Sequence, residues 1–525
     1  MMLVENALGT VISVTGSQMT VRLDEHTAEA QAGRIGSMVK VETGGREVMG
    51  TVAAVKGDSF SSSGYALVVD LVGEVFETLE GRRFARGVSH HPVPGSLVVP
   101  ATERDLQSIF AEPAIGRIRI GSLYYNEAQP AYVQIDDLLG KHFAVLGASG
   151  SGKSCTVALV LSAILNRHPG AHVLMLDPHN EYATAFGDVA EILNVDTLKL
   201  PFWLLDSDEA VRVLVRGGTA PERESQALIL REAITRARRQ FAGDGTDAAS
   251  ITVDTPVPFR ISDVIRFINE AMGKLDKTDT SLPYLRLRTR LESLKSDKRF
   301  AFMFGEGLNI PDTLPELVGR LLRIPVNGKP LAIFDLSGVP SEVTDVVVSV
   351  CCRIIFDFAV WSQRENMPPV LLACEEAHRY IPADERVGFA ATARAITRIA
   401  KEGRKYGLAL ALISQRPSEL SPEALSQCGT VFALRLGNEL DQDFVARTVP
   451  DAAKGMLSAL PSLPTQQTIV SGEGVPIPMR IRLDDLPQGR RPRSEGASFS
   501  KSWQSDASSE ALRDDGVRRW RLQSR

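Results

Sequence analysis

FAVLGASGSGKSCTVALVLSAIL, residues 143–165, is the stretch whose reading decides the fold. Four apolar residues run into GASGSGKS at 147–154, which fills the pattern G-x-x-x-x-G-K-S/T, and an apolar helix-forming run follows at once. A short buried strand, a glycine-rich turn and a helix start, in that order, make a phosphate-binding loop. Gly147, Gly150 and Gly152 let the backbone turn its N–H groups toward phosphate oxygens, and the helix N-terminus adds a favourable field. Ala148, Ser149, Ser151 and Cys155 complete the stretch expected to wrap the nucleotide. Lys153 is expected to neutralise the β and γ phosphates and Ser154 to hold Mg²⁺, so the implied ligands are ATP and Mg²⁺. An ordinary Gly-Ser turn before a helix is the competing reading, and it leaves the lysine and the two matching flanks unexplained. Alone, the loop also fits a kinase, a transporter or a GTPase.

Around this loop the same texture repeats. HVLMLDP, LAIFDLS, VLLACEEA, LALALIS and TVFALRL are apolar runs separated by helical segments. Runs apolar on both faces predict a mostly parallel sheet covered by helices on each side, an α/β nucleotide-binding core.

Three of these runs end in chemistry. VLLACEEAH (370–378) closes a predicted strand with Glu375 and Glu376. Glu375 takes the metal position, directly or through a water, and Glu376 is placed to polarise the attacking water; two solvated acids at a helix start are the alternative. LMLDPHNEY (174–182) brings Asp177, His179 and Glu181 to another strand end. Either Asp177 or Glu181 helps position metal or water, or Asp-Pro simply turns the chain. LALALIS ends in Gln415 and Arg416, and the amide of Gln415 either senses the γ-phosphate or only terminates the strand. Between them TARAITRIAKEGRKYG (392–407) carries Arg394, Arg398, Lys401, Arg404 and Lys405. Cations stabilise a helix C-terminus in any case. Arg404, directly after Gly403, is also placed to reach a neighbouring subunit's ATP and to stabilise charge that develops during phosphoryl transfer.

The 525 residues are too many for one core. Residues 1–105 read as a small β-barrel, from close-set alternations such as GTVISVTG, GSMVKVETGG and YALVVDLVGEV. Residues 106–486 read as the P-loop core with a charged helical insertion at about 206–326, and residues 487–525 as a flexible tail whose end, VRRWRLQSR, either docks on a partner or stays loose. His90 and His91 read as a loop and not as metal ligands, because no third ligand is near. Five cysteines without CxxC spacing, in apolar runs, suggest reduced core residues and a cytoplasmic setting. No stretch of about 18 uncharged apolar residues is present, and the N-terminus lacks a signal-peptide pattern, so no membrane span or export is expected. A net charge of -5 neither supports nor excludes nucleic acid.

In this order the barrel, GASGSGKS, LDPHNEY, CEEAHRYIP, AKEGRKYG and ISQRP resemble the HerA family of hexameric DNA translocases, within the wider HerA and FtsK group, over most of residues 1–485. The resemblance implies a RecA-like P-loop NTPase core behind an N-terminal HAS-barrel. It implies that Lys153 and Ser154 bind nucleotide and Mg²⁺, that Glu376 is the catalytic glutamate, Gln415 the sensor and Arg404 an arginine finger acting across subunits, and it puts Asp177 at the family's acidic strand end. The family's basic contact at the start of the P-loop strand falls on Lys141 and His142 here. The resemblance further implies a homo-hexamer with ATP between subunits, double-stranded DNA through the centre, and a NurA-like nuclease or other effector as partner, in DNA end processing or antiphage defence.

Three functions stand against one another. A motor moves DNA through a ring, with salt-dependent phosphate contacts from pore loops; Arg231, Arg236, Arg238 and Arg239, or Arg286, Arg288 and Arg290, are either that lining or solvated helix faces. A scaffold or switch uses ATP to assemble and regulate an effector without productive translocation. A conjugation or secretion ATPase is disfavoured by the barrel and by the lack of an apolar span.

Overall fold

The structure is a computed structural model and describes residues 7–23, 34–57, 65–79, 81–110, 116–242, 249–274, 281–305, 312–362, 367–384, 386–387, 390–493, 499–504 and 510–522. The chain divides into two compact units, Met1–Leu176 with Pro325–Leu331 and Ile355–Arg491, and Asp177–Ile324 with Ala332–Ile354 and Pro492–Arg525.

The first unit opens with strands β1 (Gly9–Val14), β2 (Gln18–Leu23), β3 (Met38–Thr43), β4 (Arg46–Gly57), β5 (Tyr65–Thr78), β6 (Gly81–Arg86) and β7 (Leu97–Pro100). They run in the order β2-β1-β7-β3-β4-β5-β6, and β2 also pairs with β5. That second pairing closes six strands into a barrel and leaves β6 as an outer extension. Closure removes the exposed strand edges that a small open sheet would present. Every second residue points inward, so Val39 and Val41 of β3, Leu67 and Val69 of β5, and Val21 of β2 are fully buried together. Bulges between Met49 and Gly50 and between Val52 and Ala54 supply the bend that long strands need to wrap.

Two contacts fasten the barrel's surroundings. In the helix Glu103–Ile109, Thr102 and Asp105 form a capping box, and the buried Asp105 carboxylate pairs with Arg82 and, at 2.9 Å, with Lys40. Burial pushes the Asp105 carboxyl up, but hydrogen bonds from Thr102, Arg82 and Lys40 outweigh it and hold the group at about 2. On the other side the helix Asp451–Leu457 lies against β4 and β5 through Gly455, where a Cβ would stand 2.5 Å from Ala53 Cβ and from an Asp70 carboxylate oxygen.

The remaining strands are β8 (Arg117–Leu123), β9 (Asn126–Gln134), β10 (Phe143–Leu146), β11 (His172–Asp177), β12 (Ala190–Leu193), β13 (Leu331–Asp335), β14 (Val370–Cys374), β15 (Leu408–Ser414), β16 (Thr430–Ala433), β17 (Gln467–Gly472) and β18 (Met479–Leu483). Within the first unit the order is β11-β14-β15-β10-β16-β17-β18-β8-β9. Neighbours from β11 to β16 are parallel, and those from β16 to β9 antiparallel. β10, β14 and β15 are buried at every residue, as their apolar runs predict. β15 stands between the P-loop strand β10 and the acidic strand β14, which is the RecA-like arrangement. The α/β class with an N-terminal barrel, expected from sequence, is the one observed.

In the second unit β12 and β13 are neighbours, and helices Ser207–Leu214, Ala220–Ala242, Ile261–Met272, Leu282–Ser296 and Leu314–Leu322 occupy the charged stretch. Arg238, grouped by sequence with surface cations, is buried there. Its guanidinium donates to the carbonyls of Trp203 and Leu205 at 3.0 Å and to that of Thr255. Arg231, Arg236, Arg286, Arg288 and Arg290 each pair with an acid, as solvated helix faces do. Toward the C-terminus Glu510–Leu522 is helical, with Arg518 and Arg519 one turn from their partner Asp515 and Trp520 exposed. Among the described residues no helix is long and apolar enough to cross a membrane, and no cluster of acids, histidines and cysteines suits a metal ion.

Candidate active site

The P-loop leaves β10 after Leu146 and enters the helix Lys153–Arg167. Gly152 caps that helix at φ 96°, a left-handed conformation that a side chain would strain. Gly147 is pressed from both sides: a Cβ there would stand 2.6 Å from Ser151 Oγ and 2.8 Å from Leu434 Cβ. Ser151 Oγ is buried without a hydrogen-bond partner among the described residues. A cradle of backbone N–H groups at a helix start, with a spare buried hydroxyl and a lysine, suits an anionic phosphate. Lys153 and Ser154 are both nearly buried, and a lysine beside a hydroxyl is the donor set for a phosphate and its Mg²⁺. The loop therefore fits the nucleotide that the sequence implied.

Across β15, the acidic pair follows β14. The Lys153 ammonium meets Glu375 Oε1 at 2.5 Å, with the side chains 9% and 1% exposed. Glu375 N–H donates to Leu176 O at 3.2 Å, which fixes the strand end. Glu376 is buried and sits at φ 54°, a conformation unfavourable for a residue with a Cβ. The twist turns its carboxylate toward His378, whose Nδ1 lies 3.3 Å from Glu376 Oε2 and 3.1 Å from Ser414 Oγ. Burial, with Arg416, Arg379 and Lys153 nearby, pushes the His378 pKa down against the opposing pull of Glu419. Nδ1 shares a hydrogen bond with the Ser414 hydroxyl and lies beside the glutamate carboxylate. Ser414 Oγ in turn accepts the Arg416 N–H at 3.0 Å, so this network spans the ends of β14 and β15. Gln415, the next residue, is half-buried.

Arg404 lies elsewhere. It is exposed on the turn Gly403–Tyr406, ahead of β15. The P-loop, Glu375 and Gln415 all follow the C-terminal ends of parallel strands, whereas Arg404 precedes the N-terminal end. Seven residues of strand separate the two edges, about 20 Å at 3.3 Å per residue, beyond the reach of an arginine side chain. Among the described residues Arg404 forms no ion pair.

The other predicted positions have local roles in view. Both carboxylate oxygens of Asp177 accept backbone N–H groups, from His179 at 3.2 Å and Tyr182 at 3.0 Å, so the side chain helps build the turn. His179 is exposed and Glu181 half-buried. Lys141 pairs with Glu473. His142 is buried at φ 55°, accepts the Leu410 N–H on Nδ1 at 3.0 Å and donates from Nε2 to Ala400 O at 2.9 Å. His90 and His91 lie in the loop before β7, and His91 Nε2 contacts Gly16 O.

The Helicase HerA central-domain family matches residues 118–355. The DNA double-strand break repair helicase HerA of Pyrococcus furiosus is 25% identical over 420 residues, 74% of this chain and 73% of its own. The chain is a P-loop ATPase similar to HerA helicases over most of its length. A probable helicase of Methanocaldococcus jannaschii is 26% identical over 433 residues, covering 81% of the HerA-like chain and 77% of its own. Among solved structures, VirB4 of Thermoanaerobacter pseudethanolicus aligns at a TM-score of 0.49 with 15% identity, over 72% of this chain and 98% of that one. The conjugative coupling protein TrwB aligns at 0.48 with 16% identity, over 76% and 95%.

Sequence reasoning missed three residues of this HerA-like site: His378, Ser414 and Arg435, whose Nη2 lies 3.4 Å from Gly150 O. His378 is two residues from Glu376 inside a motif already singled out, and its position gave the only local signal. Ser414 and Arg435 reach the site through strand register, which no local pattern reports.

Proposed function

We propose that this ATPase is a DNA translocase that works as a homo-hexamer, with ATP between subunits and double-stranded DNA in the ring, serving a nuclease or other effector in end processing or defence. The observation that carries it is the placement of Arg404, exposed and without an ion pair among the described residues, at the sheet edge away from the P-loop. A cation that cannot serve its own chain's nucleotide is suited to serve a neighbour's. The HerA relatives are named as DNA double-strand break repair helicases, which supports DNA as the substrate.

In this reading Lys153 leaves Glu375 to neutralise phosphate oxygens, while Ser154 and Glu375 hold Mg²⁺. When bound, Mg²⁺ supplies charge neutralisation at the phosphates. Glu376, held by His378, orients and accepts a proton from the attacking water; Gln415 reads the γ-phosphate; Arg404 of the adjoining subunit meets the charge that develops in transfer.

The test is the ATPase rate with and without duplex DNA for the wild type, Glu376→Gln and Arg404→Ala. DNA stimulation in the wild type, loss in both variants, and recovery on mixing Arg404→Ala with Lys153→Ala subunits are the expected results. An Arg404→Ala ring that hydrolyses ATP normally would end the finger assignment. ATP turnover indifferent to DNA, with no DNA bound in the presence of ATP, would end the motor reading in favour of an assembly switch.

A further inference from the structure

We infer that Arg435 is a nucleotide-phosphate contact supplied from the same chain as the P-loop, on the flank away from the acidic strand. This inference rests on the ATP-binding reading above.

The placement begins with the backbone. β16 runs parallel to β10, with Ala433 opposite Leu146. Beyond the strands the two segments stay joined: Leu434 N–H donates to Leu146 O at 2.8 Å, and Ala148 N–H donates to Arg435 O at 2.9 Å. Leu434 also packs where a side chain on Gly147 would stand. The Arg435 backbone is thus bonded into the first turn of the P-loop, and its side chain emerges at the loop's rim.

The surroundings of the guanidinium suit it to an anion. Arg435 is half-buried and pairs with no carboxylate among the described residues. Its side-chain contact is Nη2 to Gly150 O at 3.4 Å, longer than the usual 2.7–3.2 Å range for N–H···O. A neutral carbonyl at that distance holds a charged fork weakly, so releasing it costs little. Elsewhere near β10 the cations are engaged: Lys153 with Glu375 and Lys141 with Glu473. His142 is wedged between Ala400 O and the Leu410 N–H, and burial, assisted by Arg404, pushes its pKa down. Among the described cations flanking β10, Arg435 is the one without a carboxylate partner, and a guanidinium presents two parallel N–H donors to phosphate oxygens.

The experiment measures equilibrium binding of the β,γ-imido analogue of ATP with Mg²⁺ to the full chain, together with the thermal midpoint without nucleotide. Arg435→Ala is expected to weaken binding about 10- to 100-fold, the range for a charge-assisted hydrogen bond, with the nucleotide-free midpoint unchanged. Arg435→Lys, which keeps the charge and loses the fork, is expected to fall between the two. Unchanged affinity in Arg435→Ala would overturn the assignment. So would a nucleotide-free midpoint that drops in Ala and Lys variants alike with equal loss of affinity, since that marks a support for the loop. Wild-type protein that fails to bind the analogue would sink the ATP reading as well; wild-type binding with an indifferent Arg435→Ala sinks this inference alone.

Discussion

Lys153 and Glu375 form a buried ion pair, and removing the lysine should cost stability as well as activity. The two side chains are 9% and 1% exposed and meet at 2.5 Å. In Lys153→Ala the glutamate stays buried and loses its counter-charge. Breaking one side of such a pair costs roughly 3–5 kcal/mol. Glu375 keeps other contacts, so the lower end of that range applies. Since ~1 kcal/mol moves the midpoint of a unit of this size by about 1.5 °C, the expected drop is roughly 4–5 °C. Lys153→Ala with Glu375→Gln removes the stranded charge and should recover about half of the loss, a coupling that a double-mutant cycle isolates. Scanning fluorimetry without nucleotide reads all four proteins. A Lys153→Ala midpoint within about 1 °C of wild type would refute the reasoning, and so would a double variant no more stable than the single.

If the His378 ring beside Glu376 positions that carboxylate, His378→Ala should lower kcat about tenfold with little change in KM, and His378→Asn should restore part of the rate; a change confined to KM would contradict the positioning role. Gly455→Val should destabilise the contact between the helix Asp451–Leu457 and the barrel by about 1–3 kcal/mol, since its side chain would enter the space of Ala53 and Asp70; a protease-resistance profile and midpoint equal to wild type would show that the contact yields freely. His142 and His378 both have pKa values pushed below the ordinary histidine value by burial. Their stabilising contribution is full above about pH 6.5 and is lost as pH falls through their depressed values, because the unfolded chain takes up the protons first. A midpoint series from pH 8 to 5 should fall, less steeply in His142→Gln, and a flat wild-type profile would count against it; Asp105, held at about 2, stays charged across this window.

What the sequence made legible was local. The P-loop and the acidic pair are consecutive residues behind apolar runs, so strand, turn and chemistry can be read within about ten positions. The placement of Arg404 was also within reach, because parallel topology puts a residue before a strand and a residue after it on opposite edges. Arg238 was not legible: TRARRQF has the composition of a basic surface, yet one of its arginines is buried to cap the carbonyls of Trp203, Leu205 and Thr255. Composition counts charges and carries no record of which carbonyls lack donors. The barrel's closure was implicit in strand number, but the β2–β5 pairing that completes it is non-local.

The start of the P-loop strand shows how a local pattern and its role come apart. Resemblance put a nucleotide-contacting cation at Lys141 or His142, and both positions are polar enough to satisfy that pattern. The register of β10 against β15 gives His142 a different task, because its ring bridges the Leu410 N–H and Ala400 O, and a left-handed backbone at φ 55° holds it there. Charging that ring would cost the bond to Leu410, since Nδ1 could no longer accept. Lys141, meanwhile, is turned to Glu473. Both residues are engaged within the fold, and the second phosphate contact inferred above would come from across the strand, where β16 brings Arg435 to the loop through the same parallel register.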